Sequence, residues 1–148
     1  MSSFLSKAPT AARVVLGLSF LVFGLNGFFH FIPQPPPAGG ALAFLGGLAS
    51  ASYFFPLLKG TEVLAGAFLL SNRFVPLALT VLAPVLVNIA AFHLFLAPSG
   101  AGLALGLVAL EVFLAWAYRG AFRAVLAARA LPAPVSGATL HEVRAAAQ

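Results

Sequence analysis

Two charged residues within one strongly apolar stretch are the first candidates for chemistry. The segment FFPLLKGTEVLAGAFLL, residues 54–70, carries Lys59 and Glu62 three positions apart. At the centre of a membrane helix each such charge costs about 2.5–3.5 kcal/mol on insertion scales, so it persists only where something compensates it. A spacing of three places both side chains on one helical face, where they partly neutralise each other. We therefore expect this face to line a polar pocket between helices.

The other polar side chains of the apolar segments are candidates for the same pocket. They are one carboxylate, two histidines and two asparagines: Glu111, His30, His93, Asn26 and Asn88. Glu111 has no partner within its own helix, so it must be protonated or meet Lys59 or a histidine from another helix.

The asparagines and histidines also have simpler explanations. Asn26 can join two helices by a hydrogen bond, Asn88 can satisfy backbone groups freed by a kink at Pro84, and His30 can be solvated at the interface. His93 lies about 140° around a regular helix from Asn88, so we expect the two to face one point only if the helix is kinked.

The composition indicates lipid as the main solvent. Of 148 residues, 61% are hydrophobic and only 7% are charged, against about 25% charged in an ordinary soluble domain. The chain has no cysteine, which excludes structural disulfides and cysteine-ligated iron–sulfur clusters. Its net charge of +5 is not arranged as a basic stripe with interleaved aromatic residues, so nucleic acid is not an expected partner.

The apolar segments predict an all-α fold, an integral membrane four-helix bundle formed by residues 1–130 as a single domain. Their lengths suit a bilayer core, and the expected spans are 13–32, 53–70, 75–96 and 101–119. The apolar segment 41–52 follows the helix-breaking sequence PQPPPAGG and is too short to cross, so it predicts a short interfacial or re-entrant helix. In the fourth span, Gly102 and Gly106 have the spacing of a close helix contact. Residues 131–148 are expected to form a mobile cytoplasmic tail.

The basic residues predict the orientation. Apart from Lys59, every lysine and arginine falls at one end of the four-span arrangement: Lys7, Arg13, Arg73, Arg119, Arg123, Arg129 and Arg144. The positive-inside rule then places both termini in the cytoplasm and the polar pocket in the outer half or middle of the bilayer. Arg119 and Arg123 can act as simple stop-transfer charges or can rest on anionic headgroups.

An ordered set of motifs resembles the DoxX family of small bacterial membrane proteins. It comprises RVVLG at 13–17, GLNG at 24–27 and KGTEVLAG at 59–66. The later segment FVPLALTVLAPVLVNIAAFHLFLAP at 74–98, with Glu111 and WAYR at 116–119, is similar to one branch of that family. The resemblance covers about residues 13–123. It implies a four-helix bundle in the bacterial inner membrane and an association with quinone-linked oxidoreductases, and it supplies no agreed catalytic residues.

Three functions remain open. In the first, the pocket binds a quinone or a similarly apolar small molecule and serves a redox partner, because phenylalanines at 28, 29, 92 and 95 flank the two histidines. In the second, His30, His93, Glu62 and Glu111 hold a catalytic metal, although the Glu-x-x-His pair usual in such bundles is missing. In the third, the chain is a non-catalytic accessory or assembly factor of a membrane complex.

Overall fold

The computed structural model describes residues 2–129, and all regular structure in that range is helical. The tail predicted at 131–148 lies outside the described residues. Five α-helices follow one another along the chain, and short 3-10 helices occupy Pro98–Gly100 and Arg119–Phe122. The α-helices are α1 (Ser2–Phe29), α2 (Gly39–Ala49), α3 (Phe54–Leu70), α4 (Val75–Phe95) and α5 (Ala101–Ala117).

Three helical segments are long and apolar enough to cross a membrane, namely Lys7–Phe29, Val75–Phe95 and Pro98–Ala117. They correspond to the spans predicted at 13–32, 75–96 and 101–119. The length and apolar character of these helices indicate a membrane protein.

The remaining two helices meet that criterion only as a pair, joined across a bend of 93°. α3 has 17 residues, or about 25 Å at helical rise, slightly less than the roughly 30 Å of a bilayer core. It coincides with the span predicted at 53–70, and α2 is the short helix predicted within 41–52. The pair forms a broken span or a re-entrant loop.

The helices contact one another in a closed order. α1 packs on α3, α3 on α4, α4 on α5, and α5 returns to α1. The buried apolar core lies toward the end where α1 begins and α3 ends, and its most buried large side chains are Leu16, Leu69, Leu79, Leu82, Leu86 and Leu114.

Glycines allow α1 and α3 to approach closely. A Cβ atom on Gly66 would lie 2.7 Å from the backbone nitrogen of Leu21 and 2.8 Å from the carbonyl oxygen of Gly17. Any side chain at residue 66 would therefore force the two helix backbones apart. The close contact predicted at Gly102 and Gly106 is wrong, because a Cβ at either position would meet nothing within 4 Å.

Candidate functional site

A half-open cavity of about 170 Å³ lies between α2, α3 and α4. Because its walls come from the first half of α3 and the last half of α4, it lies away from the α3–α4 turn. Val85 and Ile89 line the cavity and also pack against the apolar core. Most of the wall is aromatic or aliphatic, including Phe44, Phe54, Phe55 and Phe92. Four polar side chains complete the lining: Lys59, Glu62, Asn88 and His93.

The polar side contributed by α3 is an ion pair. The Lys59 Nζ atom donates to the Glu62 Oε2 atom at 2.8 Å. The Glu62 side chain is 3% exposed and that of Lys59 is 24% exposed, so the pair compensates a carboxylate that is almost completely removed from solvent. The two residues share a helical face, as their spacing predicts.

Glycines of α1 make room for this ion pair. A Cβ atom on Gly27 would overlap the methylene groups of Lys59, and one on Gly24 would lie 3.2 Å from the Cβ of Glu62. The charged face of α3 thus packs against the GLNG sequence of α1. This contact explains why small residues are needed at positions 24 and 27.

The polar side contributed by α4 is Asn88 and His93. Asn88 is exposed and lies at the margin of the cavity. The ring atom Nδ1 of His93 is 3.0 Å from the carbonyl oxygen of Ala97. The cavity-lining residues of α4 form a stripe about 140° wide at 100° per residue, so Asn88 and His93 line one cavity from its two edges and no kink is needed.

Three of the seven predicted pocket residues do not line the cavity. The Asn26 side chain accepts a hydrogen bond from the Ile32 backbone N–H at 2.6 Å and so holds the chain as it leaves α1, without joining two helices. His30 is exposed and, with a φ of 52°, ends α1.

Glu111, the third of these residues, lies on the buried face of α5 between Leu107 and Leu114, both members of the apolar core. It is 7% exposed. Its Oε2 atom is buried and has no hydrogen-bond partner among the described residues. The structure thus separates Glu111 from the cavity and makes it a second, isolated polar group inside the protein.

The four residues considered for a metal are not assembled into a ligand set. Among residues 2–129, no three histidine, aspartate or glutamate side chains come together in a way that could hold a metal ion. Glu62 and His93 share the cavity, whereas His30 and Glu111 do not line it.

Arg13 has a structural role that sequence reasoning missed. It is 7% exposed, and its guanidinium donates to the carbonyl oxygen of Leu69 and, at 3.3 Å, to that of Leu70. The last carbonyls of a helix have no partner within it, so Arg13 caps α3 from the neighbouring helix. The sequence does contain a signal for this role. Arg13 precedes Gly17 by four residues, so both lie on the same face of α1, the face that packs on α3.

The aromatic walls also differ from expectation. Of the four phenylalanines expected around the histidines, only Phe92 lines the cavity, and Phe29 and Phe95 are largely exposed. The Phe92 ring packs edge-on against His93, as expected, with ring centroids 5.3 Å apart. It also packs on Phe44 of α2, with ring centroids 5.8 Å apart. The helix between the first two predicted spans therefore forms one wall of the site.

Comparison of the chain with known protein families, with curated proteins and with solved structures returned no match. The likeness to the DoxX family therefore remains a resemblance carried by the sequence motifs alone.

Proposed function

We propose that the cavity between α2, α3 and α4 binds the ring of a quinone or a similarly apolar small molecule, and that the protein serves a redox partner in this way. The observation that carries the proposal is that four polar side chains from two helices share one cavity with aromatic and aliphatic walls. Small-molecule sites in proteins have this composition, a mainly apolar wall with a few polar groups that fix the orientation of the ligand.

The volume of the cavity is sufficient for one six-membered ring of a ligand. An apolar cavity of about 150 Å³ accepts benzene, and the cavity here measures about 170 Å³. Because it is half open, a substituent on the ring can extend into the surrounding lipid. A ligand with several fused rings would exceed this space.

The polar groups suit a ligand that carries carbonyl or hydroxyl oxygens. The Lys59 ammonium has three N–H donors and uses one on Glu62, which leaves donors for a carbonyl oxygen. The carbonyl of Ala97 can only accept, so Nδ1 of neutral His93 carries the proton and Nε2 remains an acceptor for a hydroxyl group. The exposed amide of Asn88 offers both a donor and an acceptor.

In this proposal the chain lies in the bacterial inner membrane as a four-helix bundle. Both termini are in the cytoplasm, and the cavity opens in the outer half of the bilayer. The concentration of lysine and arginine at one end supports this orientation, and the resemblance to the DoxX family supports the choice of membrane.

Thermal unfolding in mild detergent, with and without a short-chain benzoquinone, tests the proposal. A ligand present at about 100 times its Kd stabilises the folded state by about 2.7 kcal/mol, so the apparent Tm of the native protein should rise by several degrees. Asn88→Leu and His93→Phe should reduce this rise, because each removes a polar group from the lining.

Thr61→Val is the matched control for these variants. Thr61 is on the same helix as Lys59 and Glu62, but its hydroxyl donates to the carbonyl of Leu57 and it faces a different groove. An absence of any Tm rise in the native protein contradicts the proposal. An equal rise in all four proteins also contradicts it, because it indicates unspecific partitioning of the quinone.

A further inference from the structure

The end of the molecule opposite the cavity carries a concentrated positive charge. The contact of Arg13 with Leu69 and Leu70 brings the start of α1 beside the end of α3, and α5 ends on the same side. Lys7 and Arg73 lie near the start of α1 and the end of α3, and Arg119, Arg123 and Arg129 follow α5; all five are exposed.

No carboxylate neutralises these cations within the described part of the chain. Its two acidic residues, Glu62 and Glu111, are both buried inside the helix packing. Within residues 2–129, exposed cations at one end with no carboxylate among them fit an anionic partner.

Arg119, the first cation after α5, lies against an exposed aromatic side chain. The Arg119 guanidinium carbon lies 4.7 Å from the centre of the Trp116 ring, and its Nη1 atom donates to the Trp116 carbonyl at 3.0 Å. Trp116 is 62% exposed, and Val125 and Leu126 are exposed as well. The surface therefore offers fixed positive charge and apolar area side by side.

A membrane interface accepts both kinds of side chain. A tryptophan ring favours the headgroup level of a bilayer, and basic side chains beside apolar ones hold a segment at an anionic membrane surface. A soluble anion would pair with the arginines and leave Trp116, Val125 and Leu126 in water. We infer that Trp116, Arg119 and Arg123 form a binding site for the headgroup of an anionic phospholipid. This inference does not depend on the cavity or its ligand.

The chain supplies its own probe, because Trp116 is its one tryptophan. The full-length protein is reconstituted into vesicles of phosphatidylcholine and phosphatidylglycerol, in which one or the other lipid is brominated near the glycerol end of its acyl chains. Bromine quenches the fluorescence of a tryptophan that it touches. We expect brominated phosphatidylglycerol to quench Trp116 preferentially, with a binding preference of about fivefold for each arginine engaged. Equal quenching by both lipids would overturn the inference.

A pair of double variants separates a local site from general charge. R119Q/R123Q removes Arg119, which lies over the Trp116 ring, and the next cation along the chain. K7Q/R73Q removes two exposed charges from other segments. The first should abolish the lipid preference and the second should retain it. Equal loss in both would overturn a site at Trp116.

Soluble glycerophosphate separates a lipid site from a phosphate site. A lipid headgroup site should keep its preference for phosphatidylglycerol in the presence of millimolar glycerophosphate. Complete competition by that soluble anion would overturn the lipid as the ligand. The four substituted cations are all exposed, and equal thermal stability of the variants in phosphatidylcholine alone verifies that they fold.

Discussion

At the scale of single residues, the two buried carboxylates differ in how they are compensated. Glu62 is paired with Lys59 at 2.8 Å, whereas the Oε2 atom of Glu111 has no partner among the described residues. Removing one member of a buried ion pair leaves an uncompensated charge. Replacing a buried polar group that has no partner removes the free-energy cost of burying it. Substitutions at the two positions should therefore change stability in opposite directions.

For the ion pair, Lys59→Met should destabilise more than Glu62→Leu. Lys59→Met strands a carboxylate that is almost fully buried, whereas Glu62→Leu strands an ammonium that is partly exposed and can turn toward water. Breaking a buried pair costs up to about 3–5 kcal/mol. The double variant should lose less stability than the sum of the two single losses, which a double-mutant cycle on apparent Tm measures. Simple additivity would show that the two side chains do not interact.

For the isolated carboxylate, Glu111→Leu should raise stability. Leucine continues the apolar stripe formed by Leu107 and Leu114, and relieving one unsatisfied buried polar group is worth about 1–3 kcal/mol. Leu114→Ala on the same stripe should lower stability by about 2–5 kcal/mol, which shows that the assay responds at this location. A strong loss of apparent Tm in Glu111→Leu would mean that the carboxylate has a partner.

The sequence predicted the pairing of Lys59 with Glu62 because both are on one helix, where spacing alone determines which side chains meet. It did not predict the separation of Glu111 from the cavity or the capping of α3 by Arg13. Both depend on how α5 and α1 are rotated against their neighbours. Apolar residues surround most of α5, so its sequence contains little information about which side faces the core.

At the scale of helices, the close approach of α1 and α3 depends on small residues. Gly66→Ala should lower the apparent Tm, because the new Cβ would meet backbone atoms of α1 at less than 3 Å and backbone cannot move aside as a flexible side chain can. Gly106→Ala is the matched control. Its Cβ would enter open space, and alanine gains about 1 kcal/mol of helix propensity over glycine. Equal effects of the two substitutions would contradict this account of the interface.

The helix boundaries were largely predictable, whereas the role of α2 was not. Helix ends could be predicted from the proline-rich sequence before α2. Helix interiors could be predicted from the apolar segments on either side of it. The bend of 93° between α2 and α3 and the packing of Phe44 on Phe92 are tertiary effects. As a result, the helix predicted as interfacial or re-entrant also forms a wall of the cavity.

At the scale of the whole molecule, polar and apolar regions are segregated along the helix axes. The closed apolar core lies toward the basic end, and the cavity with its four polar side chains lies away from that end. The order of polar residues along the chain predicted the shared location of Lys59, Glu62, Asn88 and His93. It did not predict that Glu111 lies among core residues. Large exposed side chains such as Leu64, Val87 and Val112 surround the middle of the helices, as expected when lipid is the solvent.

The number of crossings depends on whether α3 spans the bilayer. α3 runs antiparallel to α1, from the contact of Gly27 with Lys59 to the contact of Arg13 with Leu69. Because α3 packs along α1 over this length, α3 should cross the bilayer wherever α1 does. We therefore expect four crossings, with the α3–α4 turn in the cytoplasm and the α4–α5 turn outside.

Cysteine accessibility tests this topology without background, because the native chain has no cysteine. Pro36→Cys, Ser71→Cys and Ser99→Cys place single thiols at exposed positions in the connections that follow α1, α3 and α4. With both termini in the cytoplasm, a membrane-impermeant maleimide should label residues 36 and 99 in intact spheroplasts, and residue 71 only after permeabilisation. If α2 and α3 instead form a re-entrant loop, residues 36 and 71 are labelled from outside and residue 99 is protected. If residue 71 alone is labelled, the orientation is inverted and the cavity lies in the inner half of the bilayer, against the positive-inside prediction.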